Sequence, residues 1–194
     1  MLRFGGVKVE SEGAEVTDRE SGRLVVLANH QSIYDIPVLF VTLSKPAVFL
    51  AKRSLFWIPI FGWALKVLGY VPVDRGDRSR ARYAYEGAAK VLDRDRALIV
   101  FPEGKRSHGK ILPFKGGGVR MARGAEASIV VAGISGTRAV RGKGSWIVRP
   151  QTVRIRYGKL RDRKTVQSVP RARLVAELRQ EIAELSGEEL APDS

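Results

Sequence analysis

Apolar runs cut by short polar elbows set the rhythm of this chain. Residues 24–28, Leu-Val-Val-Leu-Ala, carry no polar side chain and stop at Asn29-His30. Such a run reads as a strand covered on both faces. Asn29, Ser32 and Asp35 can each start or cap a helix. The apolar residues that resume at 36–43 read as a buried helix, ended at Ser44-Lys45-Pro46 because proline disfavours helical geometry in the residue before it. Residues 47–51 form a second apolar strand closed by Lys52-Arg53, and 69–75 a third that runs into the charged loop 76–80. Ala81, Tyr85, Ala88, Ala89 and Leu92 recur at helical spacing and predict a helix over 78–92. Residues 97–101 are the next strand, broken by Pro102-Glu103-Gly104. A glycine-rich loop at 114–118 opens a helix through Ala122, and strands follow at 129–134 and 152–157, the latter alternating with Arg154 and Arg156. The last helix places Leu174, Leu178, Ile182 and Leu185 on one face and Glu177, Arg179 and Glu181 on the other. Ser186-Gly187 ends it, and the tail beyond is expected to fray. At the other end, Val7-Lys8-Val9 reads as a short edge strand before a turn at 20–22. Alternating strands and helices argue for a layered α/β fold with a mixed, largely parallel sheet flanked by helices.

Composition sharpens this picture. With 194 residues the chain is expected to form one domain, large enough to bury a core without staples. It has no cysteine, which excludes disulfides, thiolate metal sites and a cysteine nucleophile. Thirty-four Lys and Arg against 20 Asp and Glu leave a net charge of +14, which calls for an anionic partner. Between Arg138 and Arg173 stand twelve bases and one acid, Asp162. No secretory signal is visible at the N-terminus. The longest uncharged apolar stretch, 55–65, has 11 residues, short of the roughly 20 that span a bilayer. It lies in a broken segment, 54–68, that sets Phe56, Trp57, Phe61 and Trp63 among aliphatic residues, with Pro59 and Gly62 inside and Arg53 and Lys66 at its flanks. That composition suits either a surface dipping into a lipid interface or a kinked pair of core helices.

Three polar clusters follow predicted strands: Asn29 to Asp35, Asp74 to Arg80, and Pro102 to His108. Strand ends of an open α/β sheet are where ligands bind, so the three can share one site. Histidine is the side chain whose ordinary titration lies nearest neutrality. Hydrogen-bonded to a carboxylate, it is fixed in one tautomer and can take a proton from a substrate hydroxyl. No protein nucleophile is evident, so His30 acting directly on a substrate hydroxyl is the simpler chemistry. Arg75, Lys105, Arg106 and Lys115 would face it as phosphate-binding groups. Glu103 among these bases could order an arginine or accept a hydrogen bond from substrate. His108 reads as a solvated loop residue.

Taken together, the clusters resemble the glycerolipid acyltransferases, in particular the 1-acyl-sn-glycerol-3-phosphate acyltransferases. Asn29-His30 and Asp35 match the first motif of that family, a histidine followed by four residues and aspartate. Gly69 to Arg75 is similar to the second motif. Phe101-Pro102-Glu103-Gly104-Lys105-Arg106-Ser107 matches the third except that Lys105 stands where the family has threonine. Phe114-Lys115-Gly116 and the pattern from Ala51 to Gly62 add to the likeness, which covers about residues 6–136, leaving a basic C-terminal part, 137–194, in the same single domain. The resemblance implies the glycerol-3-phosphate acyltransferase-like fold and an O-acyltransferase in phospholipid biosynthesis. In that reading His30 is the general base, with Asp35 holding it. The acceptor hydroxyl would attack an acyl thioester of coenzyme A or acyl carrier protein directly. Arg75, Glu103, Gly104, Lys105, Arg106 and Ser107 would bind the phosphorylated acceptor. No metal or cofactor is implied beyond the thioester co-substrate. The resemblance favours membrane contact by Phe56, Trp57, Phe61 and Trp63 and a peripheral place on an anionic membrane surface at its cytoplasmic face. The fourth motif departs most: Ser128-Ile129-Val130-Val131-Ala132 lacks both family prolines, which leaves glycerol-3-phosphate, a lysophospholipid or a lyso-aminolipid as alternative acceptors. The hydrophobic helices that commonly precede the histidine in the family are not expected here. A nucleic-acid-binding role would use the basic charge but leave the strand-end motifs unexplained, so nucleic acid is not the expected partner.

Overall fold

Leu24–Ala28, the run that looked like a central strand, is one. The computed structural model describes residues 2–4, 6–73, 92, 96–140 and 148–192, with only the backbone of 2–4, 52, 61, 71 and 73. Among them the strands are β1 (Leu2–Phe4), β2 (Val7–Glu12), β3 (Leu24–Ala28), β4 (Ala47–Lys52), β5 (Val71–Val73), β6 (Ala97–Val100), β7 (Lys110–Ile111), β8 (Ser128–Ser135), β9 (Thr152–Tyr157) and β10 (Glu189–Leu190). The helices are α1 (Asp35–Thr42), α2 (Phe61–Val67), α3 (Gly117–Gly124), α4 (Thr137–Val140), α5 (Arg163–Ser168) and α6 (Arg171–Ser186). Eight strands form one sheet in the order β1-β2-β9-β8-β3-β6-β4-β5. All its pairings are parallel except β1 with β2 and β8 with β9. This is the mixed, largely parallel sheet that the alternating pattern predicts.

Every residue of β3 is buried because helices cover both faces. The two-residue side-chain period sends Leu24, Val26 and Ala28 into the layer with Val38 and Leu39 of α1, and Val25 and Leu27 into the layer with α3 and α6. On the second layer, Gly118 lets α3 lie against β3, since a Cβ there would meet the Leu27 side chain at 2.7 Å. β3, β4, β6 and β8 run the same way, so their carboxyl ends share one edge of the sheet. The segments that follow them begin at Asn29, Arg53, Phe101 and Gly136, and this edge carries the candidate chemistry.

Three expectations need correction. The strand at 7–9 is not an edge: it extends to Glu12 and lies between β1 and β9. Arg179 does not join the solvent face of α6 but is 9% exposed, with its guanidinium bonded to main-chain carbonyls. The tail does not fray through 190, because β10 pairs in parallel with β7. α5 was not anticipated; the Asp162 side chain caps it by accepting from Thr165 N at 2.7 Å. The predicted helix over 78–92 and the loop 76–80 lie outside the described residues, apart from buried Leu92.

Candidate active site

His30 leaves β3 at its carboxyl end, and its imidazole is bound on one side and open on the other. Nδ1 lies 2.8 Å from Asp35 Oδ2. The same oxygen accepts Gln31 N at 2.7 Å and Ser32 N at 2.8 Å, while Oδ1 accepts the Thr137 hydroxyl at 2.5 Å. Fully buried at the first turn of α1, the Asp35 side chain serves as the acceptor for the two main-chain N–H groups and the Thr137 hydroxyl. Nδ1 therefore donates to it, and Nε2 is left as the ring nitrogen able to take a proton. The four-residue gap between His30 and Asp35 lets the chain turn once into α1 and bring the acid back beneath the ring.

The backbone of His30 is held as firmly as its ring. Its N–H donates to Glu103 Oε1 at 2.8 Å, and its carbonyl accepts Ser107 N at 2.7 Å and Ser107 Oγ at 3.2 Å. Phe101 stacks on the imidazole, with centroids 4.2 Å apart. Asn29, just before, bridges to the neighbouring strand: Nδ2 donates to Ile134 O at 2.9 Å and Oδ1 accepts Ile134 N at 2.8 Å. This reciprocal pair continues the ladder after the β3 strand has ended.

Of the residues expected to bind an acceptor, the structure bonds Glu103 and Ser107 to this histidine and sets Arg106 on a cavity with it, while Gly104 and Lys105 stand in the same loop. Glu103 is 3% exposed, and its second oxygen accepts Leu112 N at 3.1 Å. Burial pushes its carboxyl up to about 7 against those two main-chain donors, with Glu188 and Asp35 adding like charge. Its observed bonds thus go to the chain rather than to an arginine. Ser107 is likewise buried and turned to His30. Gly104 sits at φ +72, a left-handed turn that glycine adopts freely, with the Lys115 side chain packed against it. Lys105 and Arg106 are exposed. Arg106 shares with His30 a cavity of about 230 Å³, otherwise lined by Ile33, Ile36, Phe49, Leu50, Ala51, Leu55 and Phe101. Arg75 lies outside the described residues.

The aromatic segment divides as well. Trp57 and Trp63 are 82% and 69% exposed, along with Ile58, Ile60, Val67 and Leu68. Phe56 is half-buried, and the side chain of Phe61 is not among those described. A buried kinked helix pair is therefore not what this segment forms. Leu55, from the same segment, reaches the cavity at His30.

Thr137 and Phe101 went unassigned in the sequence, and so did the Asn29 bridge. A signal for Thr137 was present: Ser135-Gly136-Thr137 breaks an apolar strand in the same way as the other polar clusters. The residues of the altered fourth motif, 128–132, are buried in β8 and do not line the cavity at His30. Among the described residues no cluster of His, Asp and Glu could hold a metal ion.

Comparison with known proteins bears on this geometry. The acyltransferase family model matches residues 8–135. The chain is 36% identical over 135 residues to the 1-acyl-sn-glycerol-3-phosphate acyltransferase of Escherichia coli strain K12, covering 68% of this chain and 54% of that protein. It is 32% identical over 154 residues to the protein of the same name from Cocos nucifera, covering 78% of this chain and 49% of the other. The chain thus spans about half the length of the curated relatives it matches. The crystal structure of the 1-acyl-sn-glycerophosphate (LPA) acyltransferase PlsC from Thermotoga maritima superposes with a TM-score of 0.75 at 30% identity, covering 95% of this chain and 75% of that one.

Proposed function

Because the chain belongs to the acyltransferase family, we propose that it moves a fatty acyl group from an acyl thioester to the free hydroxyl of 1-acyl-sn-glycerol-3-phosphate, giving phosphatidic acid. The observation that carries this reading is the His30–Asp35 pair, with Nδ1 committed to a buried carboxylate and Nε2 left to act as base. In this mechanism Nε2 takes the proton of the acceptor hydroxyl as its oxygen attacks the thioester carbonyl. Collapse of the tetrahedral intermediate breaks the C–S bond, and the imidazolium returns the proton to the leaving thiolate. Asp35 stabilises the imidazolium between those steps, and Thr137 keeps the carboxylate aligned. No acyl-enzyme is formed. Lys105 and Arg106, exposed at the rim, supply positive charge for the acceptor phosphate, and Arg75 joins them by the family resemblance. Glu103, Gly104 and Ser107 shape the loop and hold His30. The apolar cavity between His30 and Leu55 accommodates part of an acyl chain.

The acceptor and product are lipids, and we place the protein peripherally on the cytoplasmic face of an anionic membrane. Support comes from the exposed Trp57, Ile60 and Trp63 on the same sheet edge as His30. Among the described residues no helix is long and apolar enough to cross a bilayer.

The test crosses acyl-coenzyme A and acyl carrier protein thioesters with 1-acyl-glycerol-3-phosphate, glycerol-3-phosphate and a neutral lysophospholipid, reading released thiol. His30→Ala is expected to keep its circular dichroism and lose transfer by at least about 100-fold. Substantial residual turnover would sink the base assignment, and preference for another acceptor would move the substrate.

A further inference from the structure

The C-terminal part of the chain lies beyond the region that the acyltransferase family model matches, yet three of its side chains are tied into the hydrogen bonds around His30: Thr137, on Asp35, and two from its far end, Arg179 and Glu188. Arg179, in α6, is buried. Its Nε donates to Leu112 O at 3.1 Å and its Nη2 to Ile111 O at 3.0 Å, and Nη2 also reaches Ala191 O. The Leu112 N–H is the group that holds Glu103 Oε2, and Glu103 Oε1 holds the N–H of His30. A second path arrives from the other side. Gly187, at φ +73, ends α6 and turns the chain so that the Glu188 carboxylate accepts Gln31 Nε2, while the Gln31 main-chain N–H donates to Asp35. β10 then pairs with β7, fastening Glu189 and Leu190 beside Lys110 and Ile111.

We propose that the end of α6 and β10 form a positioning strap for the catalytic loop, with Arg179 and Glu188 as positioning residues that fix His30 and Asp35 through Glu103 and Gln31. The inference rests on His30 being the base. An arginine is a poor choice merely to fasten a helix to a sheet, since a buried aliphatic residue would do so without desolvating a charge. Here the guanidinium holds the carbonyl of the Ile111–Leu112 peptide, whose N–H anchors Glu103, together with the carbonyl that follows it. Glu188 is still less suited to a purely structural role. Among the described residues its Oε2 is buried with no hydrogen-bond partner, and an unsatisfied buried oxygen opposes stability. A group kept against stability beside a catalytic loop is the expected signature of a functional constraint.

The test uses the full chain carrying His108→Gln, so that His30 is its single histidine. Glu188→Ala is expected to lower kcat at least tenfold, leave KM for the acceptor within twofold and leave Tm unchanged or higher. The ring 1H–15N resonances of His30 should move in the unliganded protein. Glu188→Gln retains an oxygen for Gln31 and is expected to restore kcat to within threefold. Arg179→Met should move the same resonances; if it fails to fold, the Glu188 pair decides. Loss of kcat only in step with Tm, or unmoved His30 resonances in Glu188→Ala, overturns the proposal. The resonances are read without substrate, so a His30→Ala enzyme that still turned over would refute the base and leave the strap to be judged separately.

Discussion

Glu103 sits in an environment far from the one a carboxyl ordinarily has. Its carboxylate is taken out of water, which disfavours the anion, while the N–H groups of His30 and Leu112 favour it; burial wins, and the carboxyl rises to about 7. A folded-state value above the unfolded one means that the native protein binds more protons between pH 4.5 and 7. The contribution to stability is then fully present below pH 4.5 and lost as pH rises through 7. Glu103→Gln removes that dependence, so the gap in Tm between wild type and variant should narrow from pH 4.5 to 7, by at most about 3 kcal/mol of stability. Parallel curves would show that the carboxyl is not perturbed in the folded state. At this scale the sequence was informative where a residue's partner is a few positions away. His30 and Asp35 were legible because one helical turn joins them. The bond from Thr137 to Asp35, more than 100 residues away, and those from Glu103 to two distant N–H groups depend on the strand order.

Elements were legible in proportion to their length and periodicity. β3, β8, β9 and α6 each carry a sustained apolar pattern, and the structure returns β3 and β9 at the predicted residues, β8 one residue longer at each end, and α6 ending at Ser186 as expected. β7 and β10 have two residues each, too few to show any period, and exist because each supplies the other's hydrogen bonds. Arg179 was misplaced because a charged residue at helical spacing reads as solvent-facing, whereas its guanidinium finds carbonyls that only the folded chain presents. How closely α6 approaches the sheet is set by Gly133 in β8, where a Cβ would lie 2.5 Å from both Leu185 Cβ and Ser186 N. Because backbone stands in the way, neither side can yield without moving the helix. Gly133→Ala should therefore cost about 1–3 kcal/mol in urea unfolding. Gly124→Ala, at the end of α3 with nothing within 4 Å of the new methyl, should be neutral or stabilising by up to about 1 kcal/mol. Equal effects from the two would mean that the close approach of α6 is not what Gly133 permits.

Parallel topology has a consequence for the molecule as a whole. Since β3, β4, β6 and β8 point the same way, the His30–Asp35 pair, the Lys105–Arg106 loop and the tryptophan segment emerge from one edge of the sheet. In the proposed membrane role the net charge of +14 would draw the protein toward an anionic surface, with each base near the lipid adding on the order of 1 kcal/mol. Charge alone would leave the orientation loose and would vanish with salt. The exposed Trp57, Ile60 and Trp63 provide an apolar anchor on the edge that opens to His30. Ile60 adopts φ +65, a positive value that a β-branched residue rarely takes, at the start of α2. Two contributions with different salt dependence follow. Flotation with vesicles of mixed anionic and zwitterionic lipid should show strong binding at low salt and a residual fraction at high salt. Trp57→Ser with Trp63→Ser should abolish the residual fraction, lower binding at low salt by at least about tenfold and leave Tm unchanged, because both side chains are already in solvent. Unaltered high-salt binding in the double variant would place the anchor elsewhere on the molecule. Binding that never survives salt would reduce the contact to electrostatics alone.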